Sequence, residues 1–392
     1  MRIGIFTDSY YPHVSGVATS IDMLKDVLIK MKHEVYMVVP DLDTGKFSYD
    51  AKNKIIYMPG IKTGIYKTRL TRFHHKRAFN IVKSWNLDVI HSQTEFGVGY
   101  FSRVCSKKLH IPVVHTYHTL YEDYVYYITH GHFDNFAKKI VVKLTRYYCD
   151  KKCNELIVPT NKIKDLFINK YSINRTIHVI PTGIDIKKFA SSKDIKTKAQ
   201  AIRKKYKIKT TDFVIGSVGR IAIEKSFDKL INATAKMLKI NSNIKLMLVG
   251  DGPALDDLKK QVKDLNIEKN VIFTGLVDYN DIPSYYQTLD VMVSFSITET
   301  QGLTIIEGLA ASKPTLCIND DSFKAMIQDS YNGYLFKNEE DFINKTFNLM
   351  NNKELYKEMA KNAKNSTYQY SKEVFASEVL KVYHEAIKGI KK

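Results

Sequence analysis

The stretch DVMVSFSITETQGLTIIEGLAASKPTLCI, residues 290–318, decides the fold. It opens on an apolar run, DVMVSFS (290–296), crosses the polar turn ITETQG, continues with a segment of helical period and closes on a second apolar run, PTLCI (314–318). Apolar runs without polar alternation are what strands buried on both faces look like, and a helix between two of them makes a parallel βαβ unit. Ligands of such sheets lie outside the carboxyl ends of the strands. Glu299 emerges there, and Glu307 follows eight positions later, one turn into the helix. The helix begins near Leu303, so the backbone N–H groups around Thr300, Gln301, Gly302 and Leu303 point outward, open to sugar hydroxyls or phosphate. Paired carboxylate oxygens suit vicinal hydroxyls such as those of a ribose. The helix dipole alone would favour an acid at Glu307, but it does not account for Glu299, which precedes the helix.

Working outward, the same alternation runs along the whole chain. Strands are expected at RIGIF (2–6), EVYMVV (34–39), KIIYMP (54–59), DVIHS (88–92), PVVHTY (112–117), ELIVP (155–159) and IHVIP (177–181). PTGIDIKKF (181–189) reads as a turn and linker, and a second series follows at 212–219, 244–250, 270–275, 290–296, 314–318 and 333–336. Amphipathic segments such as IDMLKDVLIKMK (21–32) fit between them. The expectation is an α/β chain of two doubly wound, Rossmann-like domains with parallel sheets facing a central cleft, bounded at 1–185 and 186–369. A final helix with a basic end is expected at 370–392.

Length and composition agree. A chain of 392 residues with 44% hydrophobic content is too long for one typical core and too apolar for wholesale disorder. No window offers the ~18 or more apolar residues of a membrane span, and MRIGIFTDSYYP enters a strand pattern without a signal-peptide layout. Four cysteines make no disulfide framework; Cys149 and Cys153, four apart on an expected helix, have no further ligands clustered near them in sequence. The formal charge of +19 predicts attraction to polyanions: nucleic acid, anionic lipid or a phosphorylated substrate. Nucleic-acid binding would call for a recognition motif, and none is present.

Three further places carry chemistry. Gly16, in SYYPHVSGVATS after the first strand, precedes a helix start suited to an anion. GSVGRIAIEKSFDKLINA (216–233) repeats that plan with charge: Gly219 ends a strand, and Arg220 and Lys225 lie in the following turn, cations suited to a diphosphate. LMLVGDGPALDDL (246–258) places Gly250 and Gly252 at a strand end, a wall for a nucleotide base. A G-x-G-x-x-G fingerprint after the first strand is missing, which argues against a nicotinamide enzyme. NDD (319–321) does not fit a D-x-D metal motif.

Two segments are basic and amphipathic. KTGIYKTRLTRFHHKRAFNIVKSW (62–85) carries seven Lys or Arg and no acid, interleaved with Tyr66, Leu70, Phe73 and Trp85. FAKKIVVKLTRYYCDKK (136–152) carries six and one acid, interleaved with Ile140, Val141, Val142 and Leu144. Such segments suit an anionic membrane surface, here through Lys67, Arg69, Arg72, Lys76, Arg77, Trp85, Lys138, Lys139, Lys143 and Arg146. The alternative to a membrane surface is that each is an ordinary surface helix of a basic protein, one face in the core.

Glu299-TQGLTII-Glu307, the G-R-x-x-x-E-K turn at 219–225, PTGID (181–185) and the glycine loop after strand one together resemble glycosyltransferase family 4, retaining enzymes of the GT-B fold. HTYHTLYEDY (115–124) with TETQGLT most resembles its diacylglycerol glucosyltransferase branch. The resemblance implies that Arg220 and Lys225 neutralise the donor's diphosphate in place of a metal, Glu307 holds the ribose, and Glu299 contacts the transferred sugar with N–H groups around Gln301, Gly302 and Leu303. It implies Gly16 against the diphosphate, His118 near the sugar and acceptor, and the tail helix crossing back to the first domain. The implied reaction moves glucose from UDP-glucose to diacylglycerol at the cytoplasmic face of the membrane, with anionic lipids as partners, no nucleic acid and no required cofactor, divalent metal being left open. Rivals are transfer to a soluble or polyprenyl-linked acceptor, a UDP-sugar epimerase, and a non-catalytic basic membrane- or RNA-binding protein.

Overall fold

The computed structural model describes residues 1–11, 16–62, 69–120, 122 and 134–390. It divides into two compact units, Met1–Gly183 with Lys372–Lys392, and Ile184–Ser371.

The first unit is built on β1 (Arg2–Phe6), β2 (Glu34–Pro40), β3 (Ser48–Asp50), β4 (Ile55–Met58), β7 (Val89–Ser92), β8 (Val113–Thr116), β9 (Glu155–Val158) and β10 (Ile177–Val179). β5 (Gly60–Lys62) and β6 (Arg69–Thr71) form a separate antiparallel ribbon. The sheet order is β10-β9-β8-β7-β1-β2-β4-β3, parallel except where β3 meets β4. The chain builds outward from β1 on one side, then returns to add β7 on the other, so the β1/β7 junction is the topological switch point.

Helices cover both faces because their apolar residues recur at helical spacing. Helix Gly16–Lys30 buries Ile21, Leu24 and Leu28, and helix Lys372–Ile390 buries Phe375, Val379 and Tyr383, in one cluster against β1 and β2. On the other face Ala78, Val82, Val98 and Phe101 pack from helices Lys76–Ser84 and Gly97–Leu109. Each large side chain fully buried this way contributes about 1.5–3 kcal/mol, so a charged residue at Leu24 would break the face. Trp85 belongs to this core: it is 5% exposed and packs against Tyr36 in a tilted ring pair, centroids 4.9 Å apart. That placement corrects the expectation of a membrane contact, because a ring packed under the sheet has no face left for lipid.

The second unit holds β11 (Phe213–Val218), β12 (Ile244–Val249), β13 (Val271–Phe273), β14 (Val291–Ser294), β15 (Thr315–Ile318) and β16 (Gly333–Phe336). Its order is β13-β12-β11-β14-β15-β16, parallel throughout. The switch point lies between β11 and β14, which brings together the loops after those two strands. They are the loops carrying Gly219–Lys225 and Phe295–Gly302. Helix Phe227–Leu238 covers one face through Leu230, Ile231 and Met237, and helix Leu303–Ala310 covers the other through Ile305, Ile306 and Leu309.

Candidate active site

In the second unit the backbone is fixed first. β11 is followed directly by Gly219, at φ +148°, whose N–H donates to the Val249 carbonyl at 2.9 Å. Gly250, at φ +141°, directly follows β12; a Cβ on it would fall 1.9 Å from the Gly219 carbonyl oxygen. Only glycine fits so close an approach at that φ. The Ile221 N–H to Asp251 carbonyl bond of 2.9 Å then holds the Arg220 turn over the end of β12.

Beyond this turn a short 3₁₀ segment, Ile223–Lys225, meets the loop after β14. The Glu224 carbonyl accepts from Ser296 Oγ at 3.3 Å and Thr298 Oγ1 at 3.4 Å. Lys225 Nζ donates to Glu299 Oε1 at 2.5 Å, and the Arg220 guanidinium is paired with Glu224. The Glu299 carbonyl accepts from Ser322 Oγ at 2.5 Å, which fixes its backbone. So Lys225 and Glu299 meet across the two loops and Arg220 is held in the first of them, with Glu224 and Ser322 as partners that residue spacing did not single out. Glu224 lies inside the G-R-x-x-x-E-K turn and could have been read from it; Ser322 gave no signal.

Helix Leu303–Ala310 starts on Gly302, a left-handed cap at φ +83°. Gln301 is buried, and Thr300 lies beside it in the same turn. Glu307 is 8% exposed, and Tyr286 Oη stands 2.8 Å from its Oε2 and 3.0 Å from the Thr304 carbonyl oxygen. Burial pushes the Glu307 carboxyl up to about 7, against the Tyr286 hydrogen bond and the Lys188 charge, which favour the carboxylate. Lys188 rests over the Tyr279 ring at 3.7 Å and bonds Asn280 at 3.1 Å, and burial lowers its pKa. Tyr286 and Lys188 were missed at the sequence level, where nothing distinguishes them from core and surface residues.

In the first unit the switch point holds a polar cluster. Asp8, after β1, accepts from Thr94 Oγ1 at 2.7 Å and from the N–H groups of Val98 and Gly99 at 2.8 and 3.1 Å, capping helix Gly97–Leu109. Burial raises its carboxyl pKa. His118 Nε2 lies 2.6 Å from Gln93 Oε1, and Gln93 reaches His91, itself held between Thr116 Oγ1 at 2.7 Å and Tyr383 Oη at 2.6 Å. His115 bonds Glu95 at 2.9 Å. Burial pushes the His118 imidazole down to about 4, so it is neutral at ordinary pH. Gly16 is the exposed first residue of its helix, and residues 12–15 just before it lie outside the described residues.

Among the described residues, Glu95, His115 and Cys149 gather three possible metal ligands, as do Glu155, His178 and Glu385. The first trio also feels the Arg103 guanidinium, a buried cation competing with any ion there. Cys153 Sγ donates to the Cys149 carbonyl at 3.2 Å, and both thiols are free.

Of the basic segments, Lys67 and Tyr66 lie outside the described residues. Arg69 is tied inward, donating to the carbonyls of Leu42, Asp43 and Gly60. Arg72, Lys76 and Arg77 are exposed beside Phe73. On helix Asp134–Arg146, Lys138, Lys139, Lys143 and Arg146 are exposed along with Ile140, Leu144 and the following Tyr147. Among the described residues no helix is long and apolar enough to cross a membrane.

Comparison with known proteins follows the same division. The family model "Glycosyltransferase Family 4" matches residues 14–188, and "Glycosyl transferases group 1" matches 198–366. An alpha-monoglucosyldiacylglycerol synthase of Acholeplasma laidlawii is 36% identical over 99% of this chain and 98% of its own. One of Streptococcus pneumoniae is 37% identical over 87% of this chain and 76% of its own. Among solved structures, Anabaena HepE in complex with UDP and glucose superposes with a TM-score of 0.75 at 16% identity, covering 98% of this chain and all of the other, and is a likeness of fold.

Proposed function

The chain belongs to the GT-B glycosyltransferases of family 4, and on that footing we propose that it is a retaining enzyme transferring glucose from UDP-glucose to 1,2-diacylglycerol at a membrane surface, forming an α-glucosyl-diacylglycerol. The observation that carries this reading is the Lys225–Glu299 ion pair at the second unit's switch point, with Arg220 paired to Glu224 in the same turn and Glu307 on the helix that starts there. Departure of a nucleotide sugar's leaving group builds negative charge on a diphosphate, and Arg220 and Lys225 are the preorganised cations for it. Both are already paired with acids, so a diphosphate would draw each cation from a carboxylate. Glu299, released by Lys225, would then face a sugar that has become cation-like. Gly219 and Gly250 would bring backbone close to the donor, and N–H groups at Thr300, Gln301, Gly302 and Leu303 would bind its anionic or hydroxyl oxygens. Glu307 would accept from the ribose hydroxyls. This reading requires no metal.

Gly16 and His118 are the first unit's candidates for the same reaction, with neutral His118 serving as a hydrogen-bonding group. The exposed cationic face of helix Asp134–Arg146, with Ile140 and Leu144 in it, supports a peripheral association with anionic lipid on the cytoplasmic side. The names of the two bacterial relatives support the lipid acceptor. The test is purified protein with UDP-glucose and diacylglycerol in anionic mixed micelles, the product's anomer being read by NMR. An α-glucosyl lipid is expected. Transfer only to a soluble or polyprenyl-linked acceptor would overturn the lipid assignment, and a β-anomer would overturn retention.

A further inference from the structure

The Tyr286 hydroxyl has one proton and two oxygens in reach, Glu307 Oε2 at 2.8 Å and the Thr304 carbonyl at 3.0 Å. Both carbonyl and ionised carboxylate only accept. Two arrangements satisfy the three oxygens. In one, Glu307 is protonated and donates to the Tyr286 oxygen, while the phenol proton goes to Thr304. In the other, Glu307 is ionised and receives the phenol proton, and Thr304 keeps only what its helix supplies. Tyr286 is fully buried and Glu307 is 8% exposed, so solvent does little to blur the choice.

We propose that Tyr286 is a positioning residue that couples donor binding to proton release: Glu307 is protonated in the empty site, and a vicinal diol of the donor ribose converts it to the carboxylate. This rests on the reading that Glu307 holds the ribose. The diol donates two hydrogen bonds to Glu307, an interaction that favours the ionised form, both of whose oxygens only accept. The carboxyl proton leaves to solvent, and the phenol proton swings from Thr304 to Glu307 Oε2, so Tyr286 ends with the proton it began with. Burial of Glu307, which already raises its pKa to about 7, supplies the bias toward the protonated form in the empty site.

The other groups at this place are accounted for. Lys188, from Ile186–Phe189, favours the ionised form of Glu307; it is itself faced by Asp185 and Asp278. Tyr279 acts on Tyr286, as Glu307 does. Lys188 shifts the position of the equilibrium and leaves its two end states unchanged.

The test is calorimetry of UDP-glucose binding to the whole protein, repeated in buffers of differing ionisation enthalpy from about pH 6 to pH 8.5. UDP-glucose is the suitable probe because its diphosphate exchanges no proton in that range. Release approaching one proton per donor is expected at the acid end, vanishing at the alkaline end, with affinity falling toward tenfold per pH unit well below the Glu307 midpoint. Tyr286→Phe removes the donor to the carboxylate, so the midpoint moves to higher pH. Affinity near pH 7 falls several-fold and recovers as pH rises; a purely structural role would lower it equally at every pH. Glu307→Gln abolishes the proton release. If Glu307→Ala weakens binding yet the wild type releases no proton, this proposal fails and the ribose contact stands. If Glu307→Ala binds as the wild type does, or UDP-glucose does not bind at all, both fail.

Discussion

Lys225 and Glu299, 74 residues apart in sequence, are joined by a 2.5 Å ion pair at the second unit's switch point. With Arg220 on Glu224, each cation proposed for the diphosphate carries its own counter-ion. Lys225 and Glu299 expose 26% and 17% of their side chains, enough shielding for the charges to matter to chemistry. Lys225→Ala is therefore expected to lower kcat by about 10²–10³, the range seen when one preorganised transition-state contact is lost. Combined with Arg220→Ala it should nearly abolish turnover, measured as glycolipid formed at saturating donor. Near-normal turnover in the double variant would mean that another cation or a metal carries the leaving group.

Glu299→Gln separates binding from chemistry. The change removes the acid that holds Lys225, so the cation is more available to a diphosphate. UDP affinity by calorimetry should be unchanged or rise several-fold, while kcat falls because the sugar loses a facing negative charge. Equal losses in affinity and kcat would instead make Glu299 a structural clamp for the loop.

The long strands were legible because parallel strands buried on both faces have to be continuously apolar. RIGIF, ELIVP and GYLF fall on β1, β9 and β16 with ends shifted by a residue at most. β3, β5 and β6 were not legible: each is three residues, and SYD, GIK and RLT carry too few apolar side chains to show a period. At the site, Glu299, Glu307, Arg220 and Lys225 stood out because each breaks a local pattern. Tyr286 did not, since a tyrosine in IPSYYQT looks like any core aromatic until the fold sets it against Glu307. Trp85 failed in the opposite direction. Its basic neighbours suggested a surface, but its own position completes the apolar side of helix Lys76–Ser84.

Three histidines of the first unit, His91 and His115 fully buried and His118 half-buried, make its stability depend on pH. His91, His115 and His118 all have pKa values lowered by burial, His118 to about 4, against about 6.5 in an unfolded chain. The unfolded state therefore binds protons first as pH falls. Stability from these groups is complete above about pH 6.5 and declines below it, toward 1.4 kcal/mol per histidine per pH unit. Melting of the first unit should thus shift down between pH 7 and 5.5, and His118→Gln should reduce that slope. NMR signals of His91, His115 or His118 that titrated near 6.5 in the folded protein would contradict this.

Helix Asp134–Arg146 gives the membrane proposal its sharpest test. Lys138, Lys139, Lys143 and Arg146 are exposed, and Ile140 and Leu144 are 44% and 51% exposed among them. Near an anionic surface each basic side chain is worth about 1 kcal/mol, so replacing all four by Ala should cost about 4 kcal/mol, roughly a thousandfold in vesicle affinity. That loss should shrink as salt is added, because exposed charges are screened over about 10 Å at 0.1 M. Ile140→Ala with Leu144→Ala should weaken binding by a factor that salt leaves alone, since the hydrophobic contribution is not electrostatic. Sedimentation with vesicles containing about 30% anionic lipid reads both effects, and UDP binding, proposed for the second unit, should survive all six substitutions. Vesicle affinity unmoved by the four charge changes would place the membrane contact elsewhere on the protein.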